Sequence, residues 1–338
     1  MKTKLLSLLV ALFATTVLWA DRFDDGDFWY NDLWYNITSD STVKVTYEYR
    51  MGTTGRENYS ELPPVVIIPP YVDSGHGVMY RVTSIGEYAF QNCKIISVTI
   101  PNGVTSIGKD AFCDCSTLTS ITMPNSVTDI GEEAFSYCYG LTSIIIPNSV
   151  TSIGDWAFGY CTELTSIAIP ENVRYIGDKA FAGCRRLSSV TMGESISSIG
   201  KQAFSDCSNL SSITLKARKI GDNVLENCSN LTSVAIGSPR RYNGISGVQL
   251  GSDLFSGCEQ LSSVAWNVNH VGNDIQSAFS SVRSQIKSFT FGEHVKSIPF
   301  ALCSGMGRLT KVSIPDSVIE IGESAFERCV SLSSVLIW

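Results

Sequence analysis

Residues 130–152 read IGEEAFSYCYGLTSIIIPNSVTS, and residues 153–175 read IGDWAFGYCTELTSIAIPENVRY. Laid one under the other, they share Ile-Gly, Ala-Phe, Cys, Leu, Ser-Ile and Ile-Pro positions, each displaced by 23 residues. The frame continues outward. Phe112, Phe135, Phe158, Phe181 and Phe204 are each followed three residues later by Cys115, Cys138, Cys161, Cys184 and Cys207. Three residues further stand Leu118, Leu141, Leu164, Leu187 and Leu210. A fixed period of this length marks a stacked-repeat architecture, in which one unit cannot bury its own apolar face.

The frame extends with wear in both directions. Upstream it begins at Ile85-Gly86, Ala89-Phe90 and Cys93. Downstream, Leu225 and Cys228 follow at a spacing of 21, and Phe255 and Cys258 follow after an insertion. Ala278-Phe279 comes with Val282 in the cysteine place. Cys303 and Met306 then take the phenylalanine and cysteine places. Ile321-Gly322, Ala325-Phe326 and Cys329 close the series, giving about eleven units from Val82 to Trp338.

Each unit has two local rhythms. In LTSITMP, residues 118–124, the apolar side chains alternate, so Ile121 and Met123 point one way while Ser120 and Thr122 point the other. That pattern predicts a short strand, stopped by a proline that has no N–H for a ladder. Residues 127–130 predict a second short strand. Residues 131–138 predict one or two helical turns with Ala134, Phe135 and Cys138 inward. The expected fold is an α/β solenoid with short parallel strands and short helical turns.

The Ile-Gly, Ala-Phe, Cys, Leu, Ser-Ile and Ile-Pro positions resemble the BspA-like leucine-rich repeat family, also described from treponemal surface proteins. The resemblance covers about three quarters of the chain, and residues 77–86 (GVMYRVTSIG) look like that family's usual lead into the array. It implies a secreted or surface-displayed protein of anaerobic bacteria or parasitic protists. Members are associated with adhesion to host matrix proteins, epithelial cells or other microbes.

The rest of the chain fits an exported protein. Residues 1–20 read as a signal peptide: Lys2 and Lys4 precede an apolar run, and Asp21 follows Ala20. The run is short of the roughly 20 apolar residues of a spanning helix, and no second long run exists, so no transmembrane segment is expected after cleavage. The net charge is −7, and loss of the two leader lysines deepens it to −9. An acidic chain is a poor match for nucleic acid, whose phosphates require a basic excess. Residues 21–81 are expected to form an aromatic-rich N-terminal cap with a degenerate first repeat, and residues 82–338 the solenoid. The alternative for the aromatic segment is a sugar-binding platform. The acidic run of residues 24–27 lacks the spaced ligands of a calcium loop.

No GxSxG, HExxH, P-loop or GxGxxG signature occurs, so an enzyme is not expected, nor a cofactor. The three histidines, His76, His270 and His294, form no recurring polar cluster. Nine of the eleven cysteines share one repeat position and are expected to stay reduced in the core, where a thiol behaves as a small hydrophobe. Cys113 is off that register and is expected to be exposed.

Binding is therefore sought on surfaces. The outward strand positions, typified by Ser120, Thr122, Ser189, Thr191, Ser212 and Thr214, are small and uncharged. They define a flat face for a protein or glycan of a host matrix or of other cells. The rival is a basic loop site from Lys216, Arg218 and Lys219 with Arg240, Arg241 and Tyr242 of the insertion. Asp40-Ser41-Thr42 and Asp316-Ser317-Val318 resemble the O-glycan acceptor motif of the family's main bacterial group, which makes Ser41 and Ser317 candidate modification sites. The competing functional class is a structural or self-assembling envelope protein.

Overall fold

Alternation of apolar and hydroxyl side chains sets the elements. In the strand Ser120–Thr122, Ile121 is buried while its two neighbours face solvent. Ser166–Ile169 repeats the pattern with Ile167 and Ile169 inward. A computed structural model describes residues 27–46, 62–237, 247–269 and 275–337. The leader at residues 1–20 lies outside these residues, as do Arg240, Arg241 and Tyr242.

Most coils lay one short strand on each of two faces. On the first face, Ser106–Ile107, Asp129–Ile130, Ser152–Ile153, Tyr175–Ile176 and Ser198–Ile199 pair in parallel and in register. Lys219–Ile220 and Gln249–Leu250 continue the row. At the N-terminal side this 12-stranded sheet begins with an antiparallel meander of β1 (Asp27–Tyr30), β2 (Leu33–Ser39) and β3 (Thr42–Thr46). β3 then runs parallel to the strand Met79–Ile85. On the second face the longer strands fall into three ladders, the last running from Ser212–Leu215 to Ser334–Ile337. About ten turns result, against the eleven units read from the sequence.

The turns between the faces are not helical, which corrects the α/β expectation: the fold is an all-β solenoid with almost no helix. Two 3-10 turns, Ser277–Phe279 and Arg283–Gln285, are the helical elements among the described residues. The reason lies in the backbone of residues 131–138. Glu133 and Tyr137 sit at φ of 53° and 59°, a left-handed conformation that stops an α-helix. Ala134, Ser136 and Cys138 donate their N–H groups within the coil, to Gly131, Glu133 and Phe135. Glu133, Phe135 and Tyr137 donate instead to Asp155, Ala157 and Gly159 of the following coil. Every second N–H thus ties coil to coil, where a helix would have kept it internal.

The tight stacking explains the Ile-Gly pair. A Cβ placed on Gly154 would lie 2.6 Å from the backbone nitrogen of Glu132 and from the carbonyl carbon of Gly131. Only glycine lets successive coils approach so closely.

The core is ladder-like. Phe90, Phe112, Phe135, Phe158, Phe181 and Phe204 stack with centroids 5.0 to 5.3 Å apart and near-parallel planes. The stack stops at Leu225, and Phe255 and Phe279 resume it with tilted rings. Beside it runs the thiol column. Cys138, Cys161 and Cys184 each donate to the carbonyl of the phenylalanine one coil earlier, at 3.2 Å. Cys113 is buried, not exposed as its sequence position implied, because it packs beside Asp110 under the turn. In the meander, Phe28 and Tyr35 are buried and stacked at 5.6 Å, which removes them from any sugar platform.

Candidate functional site

The two surfaces read from the sequence meet different fates. On the second face, Ser120 pairs in register with Ser97, and Thr122 with Thr99. Ser189 and Thr191 stand opposite Ser166 and Ala168. Ser212 and Thr214 stand opposite Ser233 and Ala235. Of the six candidate positions, all are exposed except Thr214, which is half-buried. The row is interrupted: residues 141–147 keep the alternation but form no ladder, and Ile145 points outward at 82% exposure. Sequence reasoning missed that apolar side chain in the hydroxyl row.

The basic loop cluster does not assemble among the described residues. Lys216 follows the second-face strand Ser212–Leu215 and donates to Glu194 at 2.7 Å and to the Met192 carbonyl at 3.3 Å. Lys219 belongs to the first face, between Ser198 and Gln249, with exposed Arg218 just before it. Ser41 is exposed on the β2–β3 turn. The Ser317 hydroxyl is engaged, donating to the Val295 carbonyl at 2.7 Å, as Ser126 and Ser149 do to Val104 and Val127.

A groove of about 410 Å3 opens on the first face around Lys219. Ser198, Lys219, Gln249, Asp178, Lys201 and Asp222 line it, with Ile199, Ile220, Leu250 and the glycines that follow them. The acidic groups are internally tied. Asp178 Oδ1 accepts the backbone N–H of Lys201 at 2.7 Å. Asp222 Oδ1 accepts the Ser252 N–H at 2.9 Å, and its Oδ2 lies 3.3 Å from Lys201 Nζ. The Ser252 N–H and then Lys201 hold the Asp222 carboxyl below the usual carboxylate range. Lys219 forms no ion pair among the described residues. One strand before Ser198, Tyr175 is 56% exposed. The sequence signal for this groove was the in-register column Ser198, Lys219, Gln249, hidden by coils of 21 and 30 residues, with Tyr175 in register one strand before it.

A second polar cluster lies under the turns. Ligand-type atoms of Asp110, Cys113 and Glu133 fall within 4.8 Å of one another. Burial, then the Asp110 charge, pushes the Cys113 thiol up to about 12. So held, it is a proton donor to Asp110 and not a thiolate nucleophile. Burial also raises the Glu133 carboxyl, with Asp110 adding to it. Among the described residues no helix is long and apolar enough to cross a membrane.

Ladders of Phe, Cys and Ile-Gly on a parallel solenoid define a leucine-rich-repeat protein of the short-turn type. The family model for the BspA-type leucine-rich repeat region matches in six copies over residues 83–211, 128–242 and 245–338, and the chain belongs to that family. It is similar to a leucine-rich repeat protein from Bacteroides ovatus, at 32% identity over 92% of this chain and 81% of that one, with a TM-score of 0.58. It is also similar to a leucine-rich cell surface protein from Faecalibacterium prausnitzii, at 26% identity over 92% of this chain and 94% of that one, with a TM-score of 0.57. No curated protein matches.

Proposed function

We propose that this is an exported cell-surface or secreted binding protein, acting in adhesion and recognising host or microbial macromolecules through its solenoid surface, without catalysis. The observation that carries the reading is the second-face row of small hydroxyl side chains, held in register within each of three ladders. Parallel-stranded solenoids offer long continuous surfaces of this kind to extended partners. The cell-surface designation of the Faecalibacterium relative supports the location. Within the proposed organisation, the β1–β3 meander closes the N-terminal end of the array, and Ser41 is the accessible glycan acceptor.

The test is a binding screen of the purified chain against host matrix proteins and glycans. Replacing Thr122, Thr191 and Thr214 by lysine should abolish binding of the partner found. Binding by the parent should depend weakly on salt, since the row carries few charges to screen. A folded triple variant that binds like the parent would remove this face as the site.

A further inference from the structure

The groove around Lys219 has a chemistry of its own. Of its charged groups, Asp178, Lys201 and Asp222 are engaged with one another or with the backbone of the next coil. Lys219 stands apart, exposed, with neutral Ser198 and Gln249 on its two sides. The site therefore presents one unshared cation amid groups suited to hydroxyls. Carboxylate oxygens accept from them, and the Gln249 amide and the Ser198 hydroxyl do both. Two carboxylates in the lining disfavour a polyanion such as a sulfated or phosphorylated chain, which calls for several cations. The Asp178, Lys201, Lys219, Asp222 and Gln249 side chains in the lining disfavour a wholly apolar ligand. A ligand with many hydroxyls and a single carboxylate satisfies the whole set.

The dimensions agree. The in-register column from Tyr175 through Ser198 and Lys219 to Gln249 spans three strand steps, roughly 14 Å at about 4.8 Å each. That is the reach of two or three linked sugar rings. At one end the exposed Tyr175 ring offers an amphipathic flat surface beside the small Ser198.

We propose that this groove binds a carboxylated sugar, a uronate or a sialate, with Lys219 facing the carboxylate and Tyr175 against the adjoining ring. The proposal rests on the reading of the protein as a surface binder and names a ligand class for one of its surfaces.

The experiment is titration of the full chain, by calorimetry and saturation-transfer NMR, with 3'-sialyllactose, a glucuronate-containing disaccharide and neutral lactose. The acidic sugars should bind, at least one of them on the order of tenfold more tightly than lactose. Which of the two binds identifies the source. Lys219→Glu should lose that preference, and Ser198→Trp should block the groove by volume while leaving Lys219 in place. Lys287→Glu, an equal charge change at an exposed position away from the groove, should have no effect. Binding of neither acidic sugar, equal binding of lactose, full competition by millimolar sulfate, or equal loss in Lys287→Glu would each overturn the proposal. The broader reading fails separately: a matrix partner that still binds through the second face while acidic sugars do not would remove the groove alone.

Discussion

The thiol of Cys161 donates to the carbonyl oxygen of Phe135, 3.2 Å away and one coil earlier in the array. The same contact recurs at Cys115, Cys138, Cys184, Cys207, Cys228 and Cys258. Each thiol hydrogen thus satisfies a buried acceptor, and each thiol is itself out of reach of solvent. Labelling of the native protein with a thiol reagent should modify Cys329, the half-buried member, and leave the rest until denaturant is added. Mass spectrometry revealing native disulfides between successive column cysteines would contradict this.

The column also sets an alkaline limit. Burial pushes Cys184 up to about 12 from 9.0, and other column thiols well above 9.0. Above about pH 9 the unfolded chain releases these protons and the folded chain keeps them, so the folded state binds more protons and stability falls as pH rises. Stability from the thiols is fully present below about pH 9 and lost progressively toward pH 12. Urea melts at rising pH measure it, and a flat profile from pH 8 to 11 would contradict the account.

Phe158 is fully buried between Phe135 and Phe181, with both centroids at 5.3 Å. Truncation to alanine should cost about 3–5 kcal/mol. Because each coil rests on its neighbours, hydrogen exchange should accelerate in the coils of Phe135 and Phe181 as well. Acceleration confined to a single coil would show that the core is not shared.

At Val224 and Leu225 the Ala-Phe pair is replaced by two fully buried side chains of intermediate size. The larger first residue offsets the smaller second. Leu225→Phe alone should overpack the site and destabilise by about 1–3 kcal/mol. Adding Val224→Ala should recover most of that, a coupling that a double-mutant cycle reads directly. Additive losses would mean that the two positions do not share volume.

Gly154→Ala should destabilise, because the new methyl meets the backbone of the preceding coil at 2.6 Å. Backbone atoms there are held by the coil-to-coil bond from Gly154 N–H to Ile130 O, 2.9 Å, and cannot yield cheaply. The loss should be about 1–3 kcal/mol by thermal melting. Gly77→Ala is the contrast in space, since nothing lies within 4 Å of its added carbon; its φ of 75° leaves only backbone strain to oppose it.

The inward positions were legible because burial and period coincide: Phe158, Cys161 and Leu164 are chosen for volume, and volume shows in the sequence. The turns were misread because the segment holding Ala134, Phe135 and Cys138 has the same spacing in a helix as in consecutive tight turns. What separates them is the left-handed backbone at Glu133 and Tyr137, residue types that give no warning of it. Cys113 was misplaced for a related reason, since its burial depends on that turn geometry. The groove was invisible for another. Lys219 and Ser198 are 21 residues apart and Lys219 and Gln249 are 30 apart, and only the register of the strands makes them neighbours.

The alternating N–H pattern has an electrical consequence. On the turn side Glu133, Phe135 and Tyr137 point their N–H bonds toward the next coil, while at the first face Thr128, Gly131 and Gly154 point theirs toward the previous one. Peptide dipoles on the two sides of the coil therefore oppose each other along the long axis. An α-helix of equal length would gather partial charges of opposite sign at its ends. Here the opposed directions offset one another along the described coils, so the long-range field is set mainly by side chains such as Lys219.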